Sequence, residues 1–599
     1  MRKLGWDRAD VILVSGDAYV DSPYSGVAVI AQVLMRRGFR VAVLSQPDVN
    51  DPEAFRVFGE PTLYWGVSAG CVDSMVANYT AAGKRRRSDD FTPGGENTRR
   101  PDRATIVYAN AIRAAFRRGR AACPHAAAAS VGRVAPRPPP IVLGGIEASL
   151  RRVAHYDFWS DKVRRPVIAD AKADVLSYGM GERSMTALAQ AMRKGEDWRS
   201  IRGICYLASE KEVAKLREST AVVELPAYDE MSANDEAGHK AFLEAHRRFA
   251  ANQDAISAKT LVQRIDLRWL VHNPPAFPLE TAELDEVHNI PFELDAPPEI
   301  RAQGKIRALD TIRFAVTTHR GCYGNCRFCA IAVHQGRRVV SRSPESVTAE
   351  VERFTRHPKF RGTVTDVGGP TANMYGYDCE RKAKAGACEG KDCLFPRVCS
   401  ALKPNHAKQL ALLRKLRAIP GVKHVFVASG IRPDLVTADS RNGCEYVAEL
   451  AKHHVSGQLK LAPEHTVAHV LAAMGKPGVE SLLEFKERFD AASRRVGKAQ
   501  YLTYYFIAAH PGCTESDMRE LRTFALRRLK LSPEQVQIFT PTPLTAATAM
   551  YWTGRDPATG RKVFVQHGAA ARQRQKDLLT AGRAGVSPRA RRPFFIPNS

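Results

Sequence analysis

Residues 320–329 read RGCYGNCRFC, which sets Cys322, Cys326 and Cys329 in a C-x3-C-x2-C spacing with no other ligand type in the loop. Structural zinc prefers paired C-x2-C knuckles and four closed ligands. Three thiolates can instead hold three irons of a 4Fe–4S cluster. The fourth iron then stays open to an exogenous ligand, which gives the missing fourth cysteine a chemical meaning. Zinc stays the alternative at this point.

A second thiol group follows at Cys379, Cys388, Cys393 and Cys399, within CERKAKAGACEGKDCLFPRVC. Four thiolates suit zinc or an auxiliary cluster. The spacing C-x8-C-x4-C-x5-C matches no compact knuckle, so reduced cysteines in a surface loop are the competing reading. Cys71, Cys123, Cys205, Cys444 and Cys513 are dispersed and read as plain small residues. The opening MRKLGWDRADVILVSGD holds only a short apolar run before an acid, a buried strand rather than a signal peptide. The thiols are therefore expected in a reducing cytoplasm, where clusters of them bind metal more often than they pair.

The elements that must position these thiols form two α/β regions. The first opens with the strand DVILVSGD (10–17), a helix through GVAVIAQVLMRRG (26–38) and the strand RVAVLSQP (40–47). PTLYWGVSAG (61–70), PPIVLGGIEASL (139–150) and ADVLSYGMGERS (173–184) each run from strand into glycine turn and helix start. This alternation predicts a parallel, doubly wound sheet over 1–229, with ligands at the carboxyl ends of its strands. An Ala- and Pro-rich insertion, 123–140, interrupts it. Residues 230–304 read as a helical and Pro-rich connector. From 305 to 554, strands are expected at 311–319, 362–367, 422–429, 458–462, 500–508 and 534–540. Helices fit between them at 343–356, 405–418, 444–454, 479–495 and 516–529. That is a partial (β/α)6 barrel, with the cysteines at its mouth directly after the first strand. A basic tail, 555–599, closes the chain.

At 599 residues the chain is too long for one core, and 44% hydrophobic with 25% charged residues is ordinary for a globular protein. No run approaches the about 18–20 apolar residues of a membrane helix. Lys and Arg number 89 against 63 Asp and Glu, a net +26, concentrated in KRRR (84–87), RAAFRRGR (113–120) and the tail. Such a field attracts polyanions such as RNA, but no aromatic-and-basic recognition motif accompanies it.

C-x3-C-x-aromatic-C after a first barrel strand, with Phe328 as the aromatic, resembles the radical S-adenosylmethionine (SAM) enzymes. TTHRGCYGNCRFCAIAVHQGR (317–337), DVGGPTANMYGYDC (366–379), SGIRPDL (429–435), GQLKLAPEH (457–465) and AAHPGCTESDM (508–518) are similar to the YgiQ-like family of these proteins. So are GDAYVDSP (16–23), GVSAGCVDSMVANYTA (66–81), GGIEASLRRVAHYDFWSDKVRR (144–165) and VQRIDLRWLVHNPPA (262–276). The resemblance implies a cytoplasmic enzyme with no membrane partner. It would bind SAM at the open iron and cleave it, with an electron from a donor such as flavodoxin or ferredoxin, to a 5′-deoxyadenosyl radical.

It also implies who holds SAM. Gly368 and Gly369 end the second strand where such enzymes carry a glycine turn for the methionyl amine. Ser429 and Arg432 follow the third strand, Glu464 and His465 the fourth, and His510 the fifth. The N-terminal region resembles a cobalamin-binding domain, but its loop GDAYVDSPYSG offers no histidine beside Asp21, Ser22 and Pro23. Cobalamin is therefore left open. Three functions compete: a radical SAM enzyme on an unidentified substrate, an RNA-directed methyl- or methylthio-transferase, and a non-catalytic Fe–S redox or sensor protein.

Overall fold

The structure, a computed structural model, describes residues 1–121 and 138–580. Most of the insertion, with Cys123, and the end of the tail lie outside the described residues.

Nine strands build the N-terminal sheet: β1 (Val11–Ser15), β2 (Val41–Ser45), β3 (Tyr64–Ser68), β4 (Ile141–Gly144), β5 (Val175–Ser177), β6 (Ile204–Ala208), β7 (Val222–Leu225), β8 (Thr260–Ile265) and β9 (Arg268–His272). Their order is β2-β1-β3-β4-β5-β6-β9-β8-β7. The half from β2 to β5 is parallel, as the alternation predicts. Beyond it the pairings β5–β6, β6–β9 and β9–β8 are antiparallel, so the sheet is mixed.

β8 and β9 correct the expected connector. Residues 260–272 form a hairpin inside the sheet, with Ile265 paired to Arg268 and Asp266 at φ 53 in the turn. A two-residue turn with positive φ matches the twist of a hairpin, and the proline-rich stretch that follows it obscures the signal. The connector's helix is present, as Glu236–Ala251.

Both faces of the sheet are covered. Val11 and Leu13 pack with Leu34 and Leu188 on one face, while Ile12 and Val14 pack with Tyr108 and Phe249 on the other. A strand buried on both faces needs the continuous apolar run that β1 has.

The barrel strands are β10 (Ala315–Thr317), β11 (Thr363–Val364), β12 (Asp366–Gly368), β13 (His424–Val425), β14 (Gln458–Glu464), β15 (Tyr501–Ala508) and β16 (Gln535–Ile538). β11 and β12 are one path broken at Thr365. Parallel pairing runs β10–β12, β11–β13, β14–β15 and β15–β16, and an Ile431–Leu461 bridge joins the third strand's continuation to β14. The result is the expected partial barrel. Its helices include Pro344–Arg356, Ala407–Arg417, Glu480–Arg495 and Glu515–Phe524. The first strand starts later than expected, because Leu309–Ile312 is helical.

Part of the expected tail is folded. The helix Ala569–Thr580 packs on Glu515–Phe524 and buries Arg572, Gln575 and Leu579. Two of these three are polar, so no apolar period marks the helix in the sequence.

Candidate active site

β10 delivers the chain to the thiol loop. His319–Arg320 pairs with Val340–Ser341 and closes that loop at its base. Gly321, at φ 83, makes the closure feasible, since a Cβ there would lie 1.9 Å from the Arg338 carbonyl oxygen. Inside the loop, Cys322 N donates to Gly336 O at 3.2 Å and Cys329 N to Cys326 O at 3.0 Å.

Two of the thiols, those of Cys322 and Cys326, lie around Gly324. A Cβ at that position would lie 3.2 Å from Cys322 Sγ, 3.8 Å from Cys326 Sγ and 3.4 Å from Arg432 Nη1. Arg432 Nη1 donates to Cys326 Sγ at 3.5 Å, and the rest of the guanidinium grips Asp434 at 3.0 and 2.5 Å. Asn373 holds the Arg432 backbone in both directions, at 2.9 and 3.0 Å. Burial pushes the Cys322 and Cys329 thiols up, and the Arg432 charge opposes this at Cys322.

This donor set fits a cluster better than an ion. Among the described residues no three His, Cys, Asp or Glu side chains converge closely enough to hold a single metal ion. A 4Fe–4S cluster takes each thiolate on its own iron and so accommodates thiols spread along one loop.

The glycines of the second strand are tightly packed. A Cβ on Gly368 would lie 2.9 Å from Ser429 Oγ, and one on Gly369 would lie 2.6 Å from the His319 ring. Gly368 O accepts from Thr318 N at 2.7 Å and from Thr318 Oγ1 at 2.9 Å. Ser429 Oγ donates to Asp366, whose Oδ1 also accepts from Ala428 N at 2.8 Å and Ser429 N at 3.0 Å. Ser429 is thereby engaged in tying β12 to the end of the third strand. Burial raises the Asp366 carboxyl against the pull of those hydrogen bonds.

Glu464 ends β14 at φ 68, where a bulge shifts the register against β15. One carboxylate oxygen faces Lys476 Nζ at 3.4 Å and the other, Oε2, is buried with no partner. His510 donates from Nδ1 to Pro511 O at 2.8 Å, leaving its buried Nε2 unpartnered, and its ring lies 6.0 Å from that of Phe328. His319 pairs Nδ1 with Thr318 Oγ1 at 2.9 Å and also leaves Nε2 unpartnered. Burial pushes both imidazoles down to about 4, so they are neutral at pH 7. His465 points elsewhere, with Nε2 3.6 Å from Cys513 Sγ.

The structure thus sets Cys322 and Cys326 beside Arg432, with Cys329 within electrostatic reach of both thiols, and packs Gly368 against Ser429 and Gly369 against His319. His319, Asp366 and Asn373 are site residues that sequence reasoning missed. All three lie inside motifs that carry the family resemblance. Buried polar atoms without partners are uncommon and costly. Glu464 Oε2, His319 Nε2 and His510 Nε2 are three of them on barrel strand ends.

The second thiol group is graded in exposure, with Cys379 and Cys393 in one apolar cluster. Cys379 is buried, Cys388 and Cys393 are half-buried and Cys399 is exposed. The only hydrogen bond shown between them runs from Cys399 N to Cys393 O, at 2.8 Å. As arranged, these four thiols do not form a single-ion zinc site.

The N-terminal sheet turns its carboxyl ends toward the thiol loop. Arg320 forms an ion pair with buried Glu182, and a Cβ on Gly179 would lie 3.4 Å from His334 O. The ends of β1 and β3 are closed on each other: a Cβ on Gly16 would lie 2.2 Å from Ala69 O. Asp17 accepts from Cys71 N at 2.6 Å and pairs with Arg100, which also pairs with Asp89 at 3.1 Å. The Asp21 carboxylate is taken by Tyr19, Gln32 and Glu293 N at 3.0, 3.1 and 2.8 Å.

A three-thiol loop at the first strand of a partial (β/α)6 barrel defines a radical SAM protein. Residues 316–525 match the radical SAM superfamily, residues 1–315 the family described as radical SAM N-terminal, and residues 534–580 a domain of unknown function (DUF3362). Relatives run the length of the chain. A UPF0313 protein of Fusobacterium nucleatum is 48% identical, covering 97% of this chain and 98% of its own. One of Thermotoga maritima is 45% identical over 98% of each. The chain belongs to the UPF0313 family. It is a radical SAM enzyme.

Two solved structures also match over most of the chain. The radical SAM methyltransferase TsrM from Kitasatospora setae, solved with cobalamin and a 4Fe–4S cluster, matches at 15% identity and a TM-score of 0.48, over 90% of this chain and 76% of that one. The cobalamin-dependent SAM radical enzyme OxsB matches at 12% identity and 0.48, over 90% of this chain and 55% of that one. Likeness at this distance carries no argument about chemistry. Among the described residues no helix is long and apolar enough to cross a membrane.

Proposed function

We propose that Cys322, Cys326 and Cys329 hold a 4Fe–4S cluster by three of its irons, and that SAM occupies the fourth beside the ends of the barrel strands. The observation that carries this reading is the convergence of two thiols and the Arg432 guanidinium on Gly324. When bound, the cluster and SAM supply one-electron reductive cleavage of the sulfonium and a hydrogen-abstracting 5′-deoxyadenosyl radical, which acts on an unidentified substrate.

The chain's own residues do the rest by position. Arg432, fixed by Asp434 and Asn373, sets a permanent positive charge against the thiolates. Gly368 and Gly369 keep the second strand's end free of side chains. Neutral His510 offers Nε2 as a hydrogen-bond acceptor, and Glu464 offers Oε2. None of these roles requires a proton to move.

For cobalamin, the first loop of the N-terminal sheet offers no histidine beside Asp21, Ser22 and Pro23. The ends of β1 and β3 are closed by backbone contact and the Asp17–Arg100–Asp89 ion pairs, so no step is assigned to it. The RNA-directed transferase rests on charge alone. A non-catalytic Fe–S role leaves the unpartnered Glu464 and histidine atoms unexplained. A flavodoxin- or ferredoxin-type donor in a cytoplasmic setting suits this chemistry, because the reduced cluster needs a strong reductant.

The test is direct. Anaerobically reconstituted, reduced protein should form 5′-deoxyadenosine from SAM, slowly even without substrate. Binding of SAM without any cleavage under strong reductant would remove the main support for this reading.

A further inference from the structure

The segment from Cys379 to Lys403 lies against the thiol loop. Tyr323, between the first two cysteines, shares an apolar cluster with Cys379, Leu394 and Leu402, and Cys322 and Cys393 pack against it. Polar ties fasten the two together. Asn325 Nδ2 donates to Asp392 Oδ1 at 2.6 Å, Arg337 Nη2 to Lys391 O at 2.9 Å, and Lys382 Nζ to Arg337 O at 2.8 Å. Arg327, next to Cys326, stands 5.7 Å over the Phe395 ring.

The charges of this flap are sorted by depth. The cations at its inner side are paired: Lys382 with Asp378 at 2.6 Å, and Arg337 of the thiol loop with Asp392 at 3.7 Å. Arg381, Lys384, Lys391, Arg397 and Lys403 are exposed, and among the described residues none of them is shown in an ion pair. Within 380–403 the exposed acids are Glu380 and Glu389. Unpaired cations therefore outnumber acids on the outside of the element that touches the thiol loop from within.

The proposed chemistry requires one electron per cleavage, delivered from outside to the cluster held by the thiol loop. Electron tunnelling falls steeply with distance, so a carrier must dock where the covering chain is thin and lies close to the cluster ligands. Charge complementarity raises the rate and fixes the orientation of such an encounter. We propose that the flap 379–403 is the docking surface for an acidic one-electron carrier protein. This rests on the radical SAM reading above. One electron leaves the carrier's reduced cofactor, which is oxidised by one electron, and takes the cluster to its one-electron-reduced state. No bond forms or breaks in that step.

The probe is an acidic flavodoxin, and the variant is Arg381→Glu/Lys384→Glu/Arg397→Glu. Lys84→Glu/Arg87→Glu, on the other exposed basic run, is the control. Binding of oxidised flavodoxin to the reconstituted protein is measured by calorimetry at low and moderate salt, without SAM. SAM cleavage is measured with reduced flavodoxin and, separately, with dithionite. The flap variant should weaken flavodoxin binding at low salt by about tenfold or more and slow carrier-driven cleavage in step, with dithionite-driven cleavage within about twofold of wild type. The control should bind as wild type does. Equal binding by the flap variant, or equal weakening in the control, overturns the proposal. So does a flap variant that keeps flavodoxin binding but loses retention of single-stranded RNA, which would mark an RNA surface instead. Wild type that fails to cleave SAM even with dithionite overturns the radical SAM reading, while the binding arm still decides the docking.

Discussion

The N-terminal sheet and the barrel both end their parallel strands in loops rich in charged and polar residues, and they treat those residues differently. At the N-terminal ends the acids are matched. Asp17 and Asp89 share Arg100, Asp73 holds Arg151, and Glu147 accepts from Ser74 N and Thr105 N at 2.8 and 3.0 Å. At the barrel ends Glu464 has a buried oxygen with no partner, and His319 and His510 each leave a ring nitrogen unpartnered. In the first arrangement each of these acids has a partner, although Arg100 Nε, Asn78 Oδ1 and Asn97 Oδ1 are themselves buried without one, and the pairing serves stability. The second has unmet hydrogen-bonding capacity, which is what a site awaiting a ligand retains.

The comparison assigns activity to one region and stability to the other. The sharpest break is at the thiols. Replacing Cys322, Cys326 and Cys329 together with Ala should abolish the cluster's absorbance, its reduced-state EPR signal and all 5′-deoxyadenosine formation. The same protein should hold no stoichiometric iron or zinc, because Cys379, Cys388, Cys393 and Cys399 as arranged form no single-ion site. Metal analysis showing a full equivalent would restore a second centre.

On the other side of the comparison, Arg100→Met leaves Asp17 and Asp89 buried without their cation. Breaking a buried ion pair from one side costs about 3–5 kcal/mol. Denaturant unfolding should show that loss, with SAM cleavage per cluster in the surviving folded protein close to wild type. A variant that kept its stability and lost its cleavage would reverse the assignment of the two regions.

Gly369→Val probes the barrel end more gently. Its Cβ would lie 2.6 Å from the His319 ring, so the ring must move. Misplacing a positioning group by about 1 Å costs up to about 100-fold in rate. Cleavage should fall by about 10- to 100-fold with cluster iron retained. The cause differs from simple filling of ligand space: the glycine is required by a ring behind it. Normal cleavage would show that the strand end does not position SAM.

Much of this was legible because local chemistry and local periodicity agree. Cys322, Cys326 and Cys329 are adjacent in sequence and in space, and the apolar runs of β14 and β15 stand out against their neighbours. Where function depends on contacts between distant segments, the sequence is silent. Asp366 looks like a strand residue until Ala428 and Ser429 are seen to bond to it. β8 and β9 were hidden because a hairpin inserted into an α/β sheet resembles neither a βαβ unit nor a linker. The helix Ala569–Thr580 escaped notice because the residues it buries are mostly polar. Conversely, four close cysteines promise a metal site by count alone, and the fold spreads them from a buried position to an exposed one.

The smallest expected effect lies behind the thiols, on the support of Arg432. His406 Nδ1 stands 2.8 Å from Asp439 Oδ2, and His406 Nε2 stands 3.3 Å from Asn373 Nδ2, which in turn holds Arg432 O. The pattern is self-consistent when Nδ1 carries the proton. Burial opposes ionisation of Asp439, but bonds from His406 and from the Asn442 and His406 amides outweigh it and hold the carboxyl down at about 2, against the usual 3.8. A depressed folded-state value means the ionised carboxylate stabilises the fold above pH 3.8, and that contribution is lost as pH falls from 3.8 through about 2. Asp439→Asn should therefore cost about 1–3 kcal/mol near neutrality. The gap to wild type should shrink as the pH approaches about 2, because there wild type also carries a neutral side chain. Denaturant midpoints measured across that range for both proteins check the sign. A gap that stays constant with pH would mean that Asp439 acts by shape alone, and Arg432 would then owe its position to Asn373 and Asp434 without help from the buried carboxylate.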